Sequence, residues 1–113
     1  MKIKERLIGN VAILQLSGKL LGGPPDSDEF KDKVYALLDK GINKVVVDLA
    51  EVKRMNSSGL GILISAFTSL RSKNGDLKLA AIDEMMQGIL IMTKLNTIFE
   101  TYDTAEGAAQ SFK

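Results

Sequence analysis

The sequence predicts an α/β fold in which one mixed β-sheet of four to five strands is packed with about four helices. Three observations predict it. After two opening strand patterns, strands and helices alternate in the order ββαβαβαβα. Lys44–Leu49 is a short apolar run, the pattern of a strand covered on both faces. The segments between strands carry apolar residues at helical spacing, as in Phe30, Val34, Leu37 and Leu38.

Each element has a local reason. Lys2–Ile8 and Val11–Ser17 read as strands, and Gly9-Asn10 between them suits a two-residue hairpin turn. Gly18 to Pro25, with its glycines and two prolines, breaks the pattern and reads as a loop. Asp26 or Ser27 then caps a helix, with Glu29 at capping-box spacing from Asp26, and Gly41 ends it. The strand Lys44–Leu49 leads through a loop into a helix from Leu60 to about Lys73. Leu60, Leu63, Ile64, Phe67 and Leu70 form its buried stripe, and Asn74-Gly75 terminates it. Leu77–Ile82 is the next strand. Asp83 caps a helix from Glu84 to about Leu95. Ile98–Tyr102 is a last extended segment. Asp103 and Glu106 are a capping pair for a closing helix with Ala105, Ala108, Ala109 and Phe112 on its apolar side.

At 113 residues the expectation is one domain, 1–113, large enough for a real core. Fifteen basic and fourteen acidic residues leave a net charge of +1 with no basic run, which argues against nucleic-acid binding. The chain has no cysteine and no histidine, which removes thiolate chemistry, the commonest general base and the commonest metal ligand. No metal and no cofactor are expected. There is no phosphate-loop motif. No apolar run approaches the roughly 20 residues needed to span a bilayer. The N-terminus lacks the apolar core of a signal peptide, so a cytoplasmic location without membrane association is expected.

Asn56-Ser57-Ser58-Gly59-Leu60-Gly61 is the segment richest in chemistry. It stands where a strand pattern becomes a helix pattern. The bland reading is that Asn56 caps the helix and the two serines fill its first turn. Two details go beyond that. Gly59 and Gly61 each cost the helix about 1 kcal/mol relative to alanine, so packing or access must require them. Ser57, Gly61, Ser65 and Thr68 also follow i, i+4, i+8 and i+11, a stripe of small residues off the Leu/Ile face. Such a stripe lets another protein approach closely, and with Asn56, Ser58 and Gly59 it is the expected partner-binding surface. A phosphate on a serine here would meet free N–H groups and the positive end of the helix dipole.

Asp48-Leu49, Val52, Met55 and the run Ser57-Ser58-Gly59-Leu60-Gly61 resemble the signature of the STAS domain of bacterial anti-sigma factor antagonists. Length and element order fit as well. The resemblance implies a non-enzymatic partner-switching regulator. Its unphosphorylated form binds an anti-sigma factor, usually a serine kinase, and so releases the sigma factor. The kinase phosphorylates the serine that maps to Ser57, and a phosphatase resets the system. Lys53 and Arg54 are near enough in sequence to help hold the phosphate. Two departures stand out. The family's acid before the serines is Asn56 here, which keeps the capping oxygen but carries no charge. The family's Gly-x-Leu-Asp pattern reads Gly18-Lys19-Leu20-Leu21, followed by Gly22-Gly23-Pro24-Pro25. In the family fold this loop lies near the serine helix.

Other classes fit less well. A receiver-type phospho-acceptor role for Asp48 needs an acidic pair near the end of the first strand, and Ile8-Gly9-Asn10 offers none. A serine hydrolase lacks a histidine to activate the nucleophile. A never-phosphorylated scaffold, or an accessory subunit of a transporter or signalling complex, is the main alternative, and Asn56 favours it. In the third helix Met85, Met86, Ile89, Leu90, Ile91, Met92 and Leu95 cover more than one face. A deeply buried helix is the preferred reading there, ahead of an exposed methionine patch. The expected state is a monomer or a weak homodimer.

Overall fold

The computed structural model describes residues 1–112, and Lys113 lies outside them. Among these residues the order is β1 (Lys2–Ile8), β2 (Val11–Leu20), α1 (Asp26–Asp39), β3 (Lys44–Met55), α2 (Ser57–Arg71), β4 (Asp76–Ala80), α3 (Glu84–Met92), a 3-10 turn (Leu95–Thr97), β5 (Thr101–Tyr102) and α4 (Ala105–Gln110). The α/β architecture and the element order match the expectation.

The five strands lie side by side in sequence order. β1 and β2 form the antiparallel hairpin around Gly9-Asn10, and the remaining pairs are parallel. Val45, Val46 and Val47 of β3 are fully buried, as a strand covered on both faces requires. On one face Leu14, Leu16, Val45, Val47, Leu77 and Leu79 meet the apolar sides of α1, α2 and α3. On the other, Val11, Ile13, Val46 and Ala80 meet Ala105, Ala108 and Ala109 of α4. The alanines let this six-residue helix sit close to the sheet.

β2 and β3 both run beyond their expected ends, Ser17 and Leu49. The β2–β3 pairing passes two register shifts and reaches Leu20↔Met55, whereas β4 leaves β3 at Asp48↔Ala80. From Ala50 onward β3 therefore pairs with β2 alone. Asp48 is spent on this irregularity, its carboxylate accepting from the N–H of Ala50 at 3.0 Å.

Four helix expectations need correction. Pro25, not Asp26 or Ser27, is the N-cap of α1, with no side-chain cap bond; Asp26 is already inside the helix. Thr104, not Asp103, caps α4 by accepting from the N–H of Gly107 at 3.0 Å. α2 begins at Ser57, and its buried side comprises Gly59, Leu60, Ile62, Leu63, Ala66 and Leu70. Ile64 is exposed, and Phe67 is half-buried with its ring edge-on to Phe99 at 5.3 Å. α3 is not deeply buried. Only Met86 and Leu90 are enclosed, while Met85, Ile91 and Met92 are 69%, 57% and 83% exposed. A nine-residue helix at the side of a sheet has room to bury one face only.

A buried lysine went unforeseen. Lys78 of β4 points to the α4 side and is 6% exposed. Its ammonium donates to the Ser111 hydroxyl at 2.7 Å and to the Ser111 carbonyl at 3.3 Å. It lies 4.4 Å from the Phe112 ring centre and 3.6 Å from the Glu100 carboxylate. Every donor has a partner or an aromatic face, which is what a charge this enclosed needs.

Candidate functional site

β3 meets α2 at Asn56, whose backbone is extended (φ −117°, ψ −177°). Its side-chain oxygen accepts from the N–H of Gly59 at 2.8 Å, and its carbonyl accepts from the N–H of Leu60 at 2.9 Å. Asn56 is thus the N-cap that the sequence reading expected. Among the described residues, no acceptor faces the N–H groups of Ser57 and Ser58. The first turn of α2 holds no acidic residue, so the positive end of its dipole is uncompensated.

Asn56, Ser57, Ser58, Gly61, Ser65 and Thr68 are all exposed. Gly59 is not. The sequence reading asked packing or access of both Gly59 and Gly61, and the structure separates them. Gly59 is buried, and a Cβ there would overlap the Leu20 carbonyl oxygen and lie 2.7 Å from its carbonyl carbon. It lets the end of β2 cross the first turn of α2, where Leu20 also accepts from the N–H of Asn56 at 3.4 Å. A Cβ on Gly61 would meet nothing within 4 Å, so this position faces open space.

The loop after β2 does lie against the serine helix. Gly22 has φ +79°, and a Cβ on it would come within 2.6 Å of the Ser58 Cβ. The loop therefore buttresses Ser58, while Ser57 stands free.

A groove of about 350 Å³ opens between α1 and α2. Its α2 wall is built from Ser58, Gly61, Ile62, Ser65 and Ser69, and α1 contributes Ser27, Asp28, Lys31 and Tyr35. The expected stripe is thus turned toward α1. Gly61 and Ser65 line the groove, whereas Ser57 and Thr68 lie outside it, and the Thr68 hydroxyl donates back to the Ile64 carbonyl at 3.0 Å. Ser69 and the α1 residues were missed. The spacing Ser58, Gly61, Ser65 and Ser69 (i, i+3, i+7, i+11) was the available signal. Lys53 and Arg54 are exposed at the end of β3, where they line a shallow depression with Asp83, Met85 and Met86.

Chemically the surface can present hydroxyls and accept close backbone contact. Among the described residues no cluster of carboxylates could hold a metal. No helix among them is long and apolar enough to cross a membrane.

Known proteins resemble this chain in sequence and in fold. The family described as STAS domain matches residues 2–108. A Thermotoga maritima protein named as an anti-sigma factor antagonist is 28% identical over 109 residues, covering 96% of this chain and 95% of its own. The crystal structure of a Thermotoga maritima protein, also named as an anti-sigma factor antagonist, superposes with a TM-score of 0.85 at 27% identity, over 96% of this chain and 92% of that one. The Bacillus cell fate determinant SpoIIAA in its phosphorylated form shares the fold, with a TM-score of 0.78 at 16% identity over 99% of this chain and 100% of its own. With the family match spanning nearly all of the sheet and helices, the chain belongs to the STAS domain family.

Proposed function

We propose that this chain is an anti-sigma factor antagonist, a binding regulator rather than an enzyme. In this reading the exposed start of α2 and the α1–α2 groove dock an anti-sigma factor of the serine-kinase type. Docking frees the sigma factor for transcription in the cytoplasm. Phosphorylation of Ser57 ends the interaction, and a phosphatase restores it.

The observation that carries the reading is the Asn56–Gly61 junction, where Ser57 is exposed on the first turn of a helix that holds no acidic residue there. A phosphoserine adds roughly −1.5 to −2 charges. Free N–H groups and the helix dipole would accommodate that charge without unfolding the domain. A partner approaching Gly61 and Ser65 would meet both its bulk and its charge. The relatives named as anti-sigma factor antagonists and the fold shared with SpoIIAA in its phosphorylated form support the reading.

Incubation with the cognate kinase and ATP, followed by intact-mass and peptide spectrometry, tests the switch. One added phosphate, absent in Ser57→Ala, is expected. An unmodified wild type, or equal modification of Ser57→Ala, removes Ser57 from the account.

A second reading rests on Asn56. With an amide where the family carries an acid, the chain would dock its partner constitutively, as a scaffold or as an accessory subunit of a transporter or signalling assembly. A partner captured with equal affinity before and after kinase treatment would favour this reading.

A further inference from the structure

α3 has two apolar sides, and the fold uses one. Met86 and Leu90 face the core. Met85, Gly88 and Met92, spaced i, i+3 and i+7, share the outward side with Ile91. Three large apolar side chains on so short a helix, all more than half exposed, make an unusual patch for a domain of this size.

Two further features say what covers it. Gly88 is the middle residue of the nine in α3, and a Cβ on it would meet nothing within 4 Å. The smallest side chain thus sits at the centre of the exposed side with Met85 and Met92 flanking it, the pattern that lets a second helix cross closely. The charges at the two ends of α3 are self-complementary, and Lys53 and Arg54 stand at the margin of the patch beside Asp83 and Met85. Asp83 and Glu84 lie at the N-terminal end of α3, Lys94 lies just past its C-terminal end, and all three are exposed. Among the described ion pairs, none involves Glu84 or Lys94.

We propose that the outward face of α3 is the interface of a two-fold symmetric homodimer, in which two α3 helices cross antiparallel at Gly88. A two-fold interface must match itself. Antiparallel crossing at the central residue does so, because it places Glu84 of each copy toward Lys94 of the other and opposes the two helix dipoles. Met85, Ile91 and Met92 of both copies then close over the glycines, with the unbranched methionines filling the irregular gap. The groove between α1 and α2 does not involve α3, so a dimer of this kind carries two free docking faces.

Sedimentation equilibrium across the micromolar to millimolar range tests the proposal. The wild type should pass from monomer to dimer as concentration rises. Gly88→Gln adds a side chain into open space and improves helix propensity, so the fold persists, as circular dichroism will verify. Its dimer dissociation constant should rise by about tenfold or more. Glu84→Lys and Lys94→Glu should each weaken the dimer, and the double variant should recover most of the loss. Wild type that remains monomeric throughout, a dimer indifferent to Gly88→Gln, or a charge swap without recovery overturns the interface. So does pelleting with phosphatidylserine vesicles that Met92→Ser abolishes, because that outcome assigns the patch to lipid.

Discussion

Gly22 and Ser58 are in contact, with a Cβ on Gly22 falling 2.6 Å from that of Ser58. The loop after β2 and the start of α2 are therefore one packed unit. Gly59 against Leu20 is its second contact point. A change in either glycine should displace the serine surface from behind, without replacing any residue on that surface.

Gly59→Ala and Gly61→Ala should act in opposite directions. The first forces a methyl group onto the Leu20 carbonyl and should destabilise the fold by about 1–3 kcal/mol. The second adds helix propensity in open space and should stabilise by about 0.5–1 kcal/mol. Urea denaturation of both variants beside the wild type measures the difference.

Gly22→Ala combines a left-handed backbone (φ +79°) with the overlap on Ser58. It should lose about 2 kcal/mol of stability. Partner affinity, measured well below the melting temperature, should fall as well, because Ser58 must shift.

Asn56 separates capping from charge. Asn56→Ala should cost about 1 kcal/mol, since the N–H of Gly59 loses its acceptor. Asn56→Asp should stabilise slightly, by about 0.3–1 kcal/mol, because its oxygen caps as well and its charge meets the uncompensated dipole. If an acid before the serines assists phosphoryl transfer, Asn56→Asp should also be modified faster by the kinase. A slightly raised melting curve with a faster kinase reaction is the expected pair of results.

Lys78 offers a test on the opposite face of the sheet. Lys78→Met keeps the volume and removes the bonds to Ser111, so a loss below about 1.5 kcal/mol is expected. Lys78→Glu buries an acid beside Glu100 with no cation to pair it, and should cost about 3 kcal/mol or more. Thermal melts of the two variants should therefore diverge widely.

The Arg6–Glu106 pair links β1 to the start of α4 at 3.1 Å. A backbone hydrogen bond first, and Arg6 second, hold the Glu106 carboxyl below the usual glutamate range. With the folded pKa depressed, the stabilisation is present above the unfolded-state value and is lost as pH falls through the folded one. Glu106→Gln should flatten this part of the acid limb of a stability–pH profile, and only slightly, because the pair is exposed.

What the sequence disclosed follows from how local each feature is. The capping of α2 was legible because Asn56 and the N–H of Gly59 lie three residues apart. The β1–β2 hairpin was legible because Gly9-Asn10 sits between two strand patterns. The run of β3 past Leu49 was not, since Glu51, Lys53 and Arg54 interrupt the apolar pattern and two register shifts break the two-residue period. The cap of α4 was placed one residue early, at Asp103 and not Thr104, because both side chains can accept and only the backbone decides which one precedes the helix. The groove depends on how α2 is rotated relative to α1, which no spacing within α2 fixes, so Ser69 and Tyr35 stayed hidden. Burial of Lys78 requires Ser111 and Phe112 to fold back across β4, a contact 33 residues distant in the chain for Ser111.

The most direct test of the central claim is calorimetric titration of the cognate anti-sigma factor with wild type and Gly61→Arg. Arginine at this position enters open space beside the α1–α2 groove, so the domain should stay folded while the docking face is obstructed. The account predicts saturable one-to-one binding per subunit for the wild type, and a loss of affinity of at least about a hundredfold for Gly61→Arg. Equal affinity of the two proteins would place the partner elsewhere and contradict it.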